Sequence, residues 1–378
     1  MRYYLFIILT TCLLLISCGK DEREEENPRV EIIDEDEDNT SSLLNDYYTY
    51  KLPIIFHVLY SNENDKAQYI PYSRLHDIIN NVNELFKGGI YGSSEDINIK
   101  LILATVDEKG NKLPIPGVEY VKWTSDYPIA PYDFMNDQTG KYVKYIWDPN
   151  EYINVMVYQF ATSGDNGSTT LGISHMPYAV KNDSALVGLE TVNMSKLTKS
   201  NIEYPHCSSL NSLFINDESS RYKQSDKGKG GYTYISADVN VTLAHELGHY
   251  LGLHHIYTER NSEPVDSCGD TDFCEDTPSY NRIEYQQYMN DYLHNSPKDK
   301  SVMRDLVRRH ACDGKEFNSA NIMDYSIGYG YKLSSDQKKR IRWVLYNSPF
   351  IPGPKKKNSG SRSVSTNEIV KLPIKVVR

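Results

Sequence analysis

The chain has 378 residues, enough for one or two ordinary cores. With 39% hydrophobic and 24% charged residues its composition is globular, and a mean hydropathy of −0.56 excludes a polytopic membrane protein. The formal net charge of −10 is concentrated between residues 19 and 40, which hold eleven acidic and three basic side chains, so the remainder is near neutral and has no basic footprint for nucleic acid.

The chain opens with Met1-Arg2 and an apolar run from Leu5 to Ile16. That run is too short to span a bilayer as a helix, which takes roughly 20 residues, and reads as an export signal. Leu15-Ile16-Ser17-Cys18 resembles a bacterial lipobox. The resemblance implies that residues 1–17 are a lipoprotein signal peptide and that Cys18 becomes the lipidated first residue. It further implies an outer-membrane lipoprotein, surface-exposed or periplasmic, held at the membrane through Cys18. An ordinary secretory signal is the alternative, and in either case the remaining cysteines meet oxidising conditions. Residues 18–46 are mostly Glu, Asp, Asn and Ser and read as an acidic, self-repelling flexible tether. An acidic stretch behind a lipidated Cys also resembles the surface-export signal of Bacteroides-group lipoproteins.

The run Lys51 to Tyr60 is β-branched and aromatic and predicts a buried strand. Residues 71–87 place Leu75, Ile78, Ile79, Val82, Leu85 and Phe86 at helical spacing. Ile97–Val106 and Tyr152–Tyr158 read as further strands. Strand, helix, strand and strand in this order predict an α+β fold, an α/β layer with a mixed sheet. Residues 331–349 predict a C-terminal helix capped by Ser334 or Ser335, with Ile341, Val344 and Leu345 facing inward. Residues 351–378 form a basic linker containing Lys355-Lys356-Lys357, then an apolar tail, Ile369–Val377, which either pairs as an edge strand or stays loose.

The densest chemistry lies in His245-Glu-Leu-Gly-His-Tyr-Leu-Gly-Leu-His-His255. Two histidines four apart project from one helix face, with side-chain bases about 6 Å apart. They can therefore share a zinc at about 2.0–2.1 Å each. Glu246 points about 100° round the helix and can reach a water at that metal without being a ligand. Gly252 supplies a left-handed helix stop, after which the chain turns and presents His255. His254 is the neighbouring candidate, but the spacing of three from Gly252 selects His255. Three neutral imidazoles leave a position open, as catalytic zinc sites do.

This eleven-residue pattern resembles the metzincin zinc peptidases, which carry a Met-containing turn beneath the metal. Asn321-Ile322-Met323-Asp324-Tyr325-Ser326 matches that turn. The resemblance makes Met323 the apolar floor of the site and Tyr325 a candidate hydrogen-bond donor to the developing oxyanion. Within the clan the chain resembles the pappalysin, or cytophagalysin, family over roughly residues 50–350. The likeness rests on Trp147-Asp148-Pro149 leading into Tyr152–Val155, on Leu171–Ser174 with Pro177 as a cleft-edge strand, and on Cys268-Gly269-Asp270 followed by Asp276-Thr277-Pro278. It implies a metzincin-like catalytic domain. An upper mixed-sheet subdomain, residues 47–255, would end in the zinc helix. A loop-rich lower subdomain, residues 256–350, would carry the Met-turn.

Family members also hold calcium in the loop downstream of the zinc. Asp270, Asp276 and Thr277 offer the hard oxygens calcium takes, while Asp-Thr-Pro is equally a good turn former. Four cysteines lie beyond the signal and Cys18, namely Cys207, Cys268, Cys274 and Cys312, allowing three pairings. The family resemblance favours Cys268–Cys312, leaving Cys207 and Cys274 over. The implied activity is zinc-dependent hydrolysis of peptide bonds in a protein or peptide substrate, with Glu246 as base. The alternative is a catalytically inactive surface-binding lipoprotein of the same fold.

Overall fold

The computed structural model describes residues 47–162, 170–181, 185–194, 196–215, 238–295, 305–325, 327–355 and 368–378. Residues 1–46, where the sequence predicts a signal peptide, the lipidated Cys18 and a tether, lie outside the described residues. No described helix is long and apolar enough to cross a membrane.

A mixed sheet organises the molecule, with strand order β13-β5-β8-β4-β1-β2 and β3 also paired to β1. Its axis is β1 (Tyr50–Tyr60). Parallel strands covered on both faces read as continuous apolar runs, and β1 is such a run. Leu52, Ile54, Phe56 and Val58 enter the main core beneath the helices, while Leu59 joins a second cluster with Trp123, Phe134, Met156 and Tyr158 on the opposite side. On one edge β1 pairs in parallel with β4 (Ile153–Tyr158).

The other edge departs from the expected single strand over 97–106. Tyr50–Ile54 pair with β2 (Ile99–Leu103), and Phe56–Tyr60 pair with β3 (Val118–Lys122). Between them the chain leaves the sheet after Leu103 and turns back at Asp107. The Asp107 carboxylate accepts the amides of Lys109 and Asn111, and Gly110 takes φ 81°. That turn, held by side-chain hydrogen bonds, ends the ladder where β-propensity alone would have continued it.

The remaining strands extend the sheet past β4. There β8 (Ser208–Asn211) runs parallel to β4, and β5 (Gly172–His175) runs antiparallel to β8. The apolar tail takes the first of its two expected forms: β13 (Val376–Val377) pairs antiparallel with β5. Short pairs β6 (Tyr178–Val180) with β7 (Glu190–Val192), β9 (Glu259–Arg260) with β10 (Glu263–Pro264), and β11 (Arg308–His310) with β12 (Glu316–Asn318) lie apart from it.

Helix α1 (Tyr72–Lys87) buries the six apolar residues its periodicity selects and stops at Gly88, φ 74°. It packs beside α3 (Val239–Tyr250), whose N-terminus is capped by Asp238. A short α2 (Pro131–Met135) approaches β5 from the other side. The half predicted to be loop-rich contains a fourteen-residue helix, α4 (Arg282–Asn295), which the sequence reading missed. Only Tyr285 of that helix is buried, so no apolar stripe marks it. Helix α5 (Ser335–Asn347) begins at a reciprocal box between Ser334 and Gln337 and buries Ile341, Val344 and Leu345.

Candidate active site

Helix α3 carries His245 and His249 on one face, and both are buried. The chain turns at Gly252, φ 92°, where a Cβ would also come within 2.7 Å of Val344. That position therefore needs glycine for its conformation and for its space. The turn brings His255 back against the helix. The three Nε2 atoms stand 3.0 Å (His249–His245), 3.1 Å (His249–His255) and 3.3 Å (His245–His255) apart.

Each ring is oriented through its other nitrogen. His245 Nδ1 donates to the Ile322 carbonyl at 2.7 Å, His249 Nδ1 to the Leu253 carbonyl at 2.8 Å, and His255 Nδ1 to Glu259 Oε2 at 2.7 Å. Every Nδ1 faces an oxygen, so every Nδ1 carries the proton and three bare lone pairs face one another. Such an arrangement is repulsive unless a cation fills it. Two nitrogens bound to one zinc at about 2.0–2.1 Å lie roughly 3.1–3.4 Å apart, so the trio fits zinc. Burial, and then the neighbouring histidines, hold His245 down to about 3 and His249 well below the usual range, keeping them the neutral imidazoles a metal binds. Among the described residues this is the one group of three His, Cys, Asp or Glu side chains able to converge on a metal.

Residues 224–346, about a third of the chain, match the model of a peptidase family described as pregnancy-associated plasma protein-A. Over this segment the chain is similar to the pappalysin peptidases. It is a zinc metallopeptidase. A search of curated proteins finds no match. Similar solved structures include mature mirolysin of Tannerella forsythia with a cleaved peptide, at 19% identity, 79% of this chain, 92% of that chain and a TM-score of 0.47. A promirolysin variant from the same organism matches at 19%, 82%, 85% and 0.49, and mirolysin in complex with a small compound at 18%, 79%, 92% and 0.48.

In this peptidase Glu246 is buried, and among the described residues its Oε2 has no hydrogen-bond partner. Its carboxylate lies against Gly172 of β5, where a Cβ would stand 2.5 Å from Oε1. Burial pushes the pKa of Glu246 well up, which favours a group that takes and returns a proton, and a cation beside it would offset that desolvation. Met323 packs beneath the helix, its sulfur 2.4 Å from where a Cβ on Gly248 would stand. Gly248, one of the unassigned positions of the motif, is therefore the space that admits the Met-turn. The Tyr325 ring stacks on His245 at 5.2 Å and flanks His255 at 4.8 Å. Burial, reinforced by the charge of Glu246, raises its hydroxyl pKa, so Tyr325 is a neutral donor. His254 stands outside the trio, facing the Gly188 carbonyl at 3.1 Å.

Four supporting residues were invisible in the sequence. Glu259 follows His255 by four residues on the two-residue strand β9, with no periodicity to mark it. Burial raises its pKa, but hydrogen bonds from His254 and His255 outweigh this and hold it below the usual carboxylate range, so it is ionised. Arg282 lies over the rings of Tyr257 and Tyr325 at 4.8 and 4.3 Å, and Tyr257 itself stacks on His255 at 4.7 Å. Arg309 is fully buried and donates to the carbonyls of Tyr325 and Ile327 while standing 3.6 Å from Asp324. The guanidinium thus pins the Met-turn from below.

The loop geometry does not support the calcium expectation. Asp270 Oδ1 accepts the amides of Asp272 and Phe273, and Thr277 donates to Asp272 at 2.6 Å. Asp276 instead turns to α5, accepting from the Ser334 hydroxyl at 2.6 Å and the Asp336 amide at 3.0 Å. The three side chains serve as turn formers and a helix cap, not as a shared ligand set, so the turn reading is the one observed. Cys268 and Cys312 form a disulfide between the loop after His255 and the segment before the Met-turn. The other two cysteines do not pair: both are buried and free. Cys207 lies against Met135 at 3.6 Å, whereas Cys274 lies in the post-zinc loop against the Asp272 carbonyl.

Proposed function

We propose that the chain is an exported, lipid-anchored endopeptidase that hydrolyses internal peptide bonds of extended protein substrates. The observation that carries the reading is the buried Glu246 carboxylate, whose Oε2 has no partner among the described residues, on the same helix as two of three imidazoles with converging Nε2 atoms. Bound zinc supplies Lewis acidity, which lowers the pKa of water and polarises the scissile carbonyl.

The protein's own groups do the rest. His245, His249 and His255 hold the ion through Nε2, with their Nδ1 protons fixed on Ile322, Leu253 and Glu259. Glu246 accepts the proton of the attacking water and delivers it to the leaving amine. The neutral Tyr325 hydroxyl donates to the oxyanion developing on the carbonyl. Export and anchoring are supported by the Leu15–Cys18 string and the acidic segment behind it.

The test is Glu246→Gln. Zinc content should be retained while kcat falls by about a thousandfold or more on an unfolded protein substrate. A variant that cleaves as fast as the parent removes Glu246 from the role. A zinc-loaded parent that cleaves no unfolded protein favours the surface-binding alternative. Metabolic labelling with a fatty acid, lost in Cys18→Ala, tests the anchor; labelling unaffected by that change contradicts it.

A further inference from the structure

The strand β5 does two things at once. Its first residue, Gly172, abuts the Glu246 carboxylate. Its inner edge pairs with β8, from Gly172 opposite Leu210 to Ser174 opposite Ser208. Its outer edge is therefore where an extended peptide crossing the site could add as a further strand, using main-chain hydrogen bonds.

Part of that edge is taken by the chain itself. Val376 lies opposite His175 and Val377 opposite Ser174, and the Met176 amide donates to the Lys375 carbonyl at 2.9 Å. The pairing is antiparallel, so the tail advances along β5 toward Gly172. Arg378 falls opposite Ile173, one position short of the residue that touches Glu246. Its guanidinium stands 3.4 Å from Glu263, in the neighbourhood of the hydroxyls of Tyr132 and Tyr325, the latter ring stacked on His245. Upstream the segment is anchored: the Val370 amide donates to the Asn201 carbonyl at 2.9 Å, and Asn201 Nδ2 donates to the Glu368 carbonyl at 2.8 Å. Val370, Leu372, Ile374 and Val376 pack on the cluster around Tyr158, while Val377 is buried in the main core. This is a seated strand that heads for the catalytic carboxylate.

We propose that residues 375–378 occupy the β5 edge that substrate residues preceding the scissile bond would use, making this segment a built-in competitor for peptide substrates. The inference rests on the peptidase reading. The occupant also indicates the ligand class: an extended segment with β-branched side chains and a basic residue leading to the site. A substrate that extends far to the N-terminal side of its cleaved bond must displace the segment. One that starts at or just before that bond need not.

By the alternation of antiparallel ladders, Lys375 with Met176 and Val377 with Ser174 are the hydrogen-bonded pairs. Val377→Pro removes the donor of the second pair, and Val377→Asp places a charge where a buried apolar side chain sits. Both are made in the full chain. A tethered competitor acts at an effective concentration of about millimolar, so releasing it should raise kcat/KM about tenfold on a peptide with six residues before the cleaved bond. A peptide with one residue before that bond should be unaffected. Equal kcat/KM for parent and both variants on the long peptide, with unchanged melting temperatures, overturns the proposal.

A second measurement does not depend on turnover. A fluorescent peptide of sequence Lys-Leu-Pro-Ile-Lys-Val-Val-Arg should bind the Val377→Asp chain and not the parent, read by anisotropy. Binding without cleavage of any substrate would keep the docking and sink the peptidase reading. Equal binding to both chains would sink the docking.

Discussion

Glu259 offers the sharpest quantitative test of how the site is held. Its Oε2 accepts from His255 Nδ1 at 2.7 Å, and its other oxygen lies 3.5 Å from His254 Nδ1. Removing the carboxylate leaves a buried N–H without its acceptor and frees the third ligand ring to rotate or change tautomer. An orphaned buried donor costs about 1–3 kcal/mol. Loss of a partner of this kind lowers metal affinity about 10- to 100-fold, or roughly 1.4–2.8 kcal/mol. Glu259→Gln keeps an acceptor oxygen but loses the charge, so it should fall near tenfold; Glu259→Ala should fall near a hundredfold. The assay is zinc competition against a chromogenic chelator, which needs no turnover. If both variants bind zinc within twofold of the parent, the stacked rings of Tyr257 and Tyr325 hold His255 by themselves and the assigned role is wrong.

Two further outcomes follow from the same geometry. Gly172→Ala would set a Cβ 2.5 Å from Glu246 Oε1 and so push the carboxylate aside; kcat should fall about a hundredfold at unchanged zinc stoichiometry, and an unaltered kcat would show that the carboxylate has room to move. The pH dependence of stability is set in part by His175, which burial holds down to about 4 with its ring between backbone atoms of Cys207 and Met135. A depressed imidazole stays neutral while the unfolded chain takes up a proton, so its contribution is intact above the unfolded pKa of 6.5 and is lost as pH falls toward 4, by about 3 kcal/mol. Urea unfolding at pH 7 and pH 4.5 should show a smaller drop in His175→Gln than in the parent; equal drops would exclude the residue.

Much of this was readable from residue spacing, because local rules govern those parts. The zinc helix needs two histidines one turn apart and a glycine where the chain reverses. The α1 stripe and the Ser334 cap are equally local. What could not be read depends on distant segments meeting. Gly172 matters because Glu246, far along the chain, packs against it. Glu259 matters because a two-residue strand aims it back at His255. Arg309 is fully buried for the sake of carbonyls in the Met-turn. The strand expected over residues 97–106 ended early because the Asp107 turn outcompeted β-propensity, and Asp270, Asp276 and Thr277 looked like a cation site only while their directions were unknown. The Cys268–Cys312 bridge came from family likeness, since four cysteines alone permit three pairings.

The account stands on one ion shared by His245, His249 and His255. Anomalous diffraction collected on both sides of the zinc absorption edge, from zinc-equilibrated crystals, measures this directly. The account predicts a single strong peak about 2.0–2.1 Å from all three Nε2 atoms. Absence of that peak, or density showing the three rings turned apart, would contradict it.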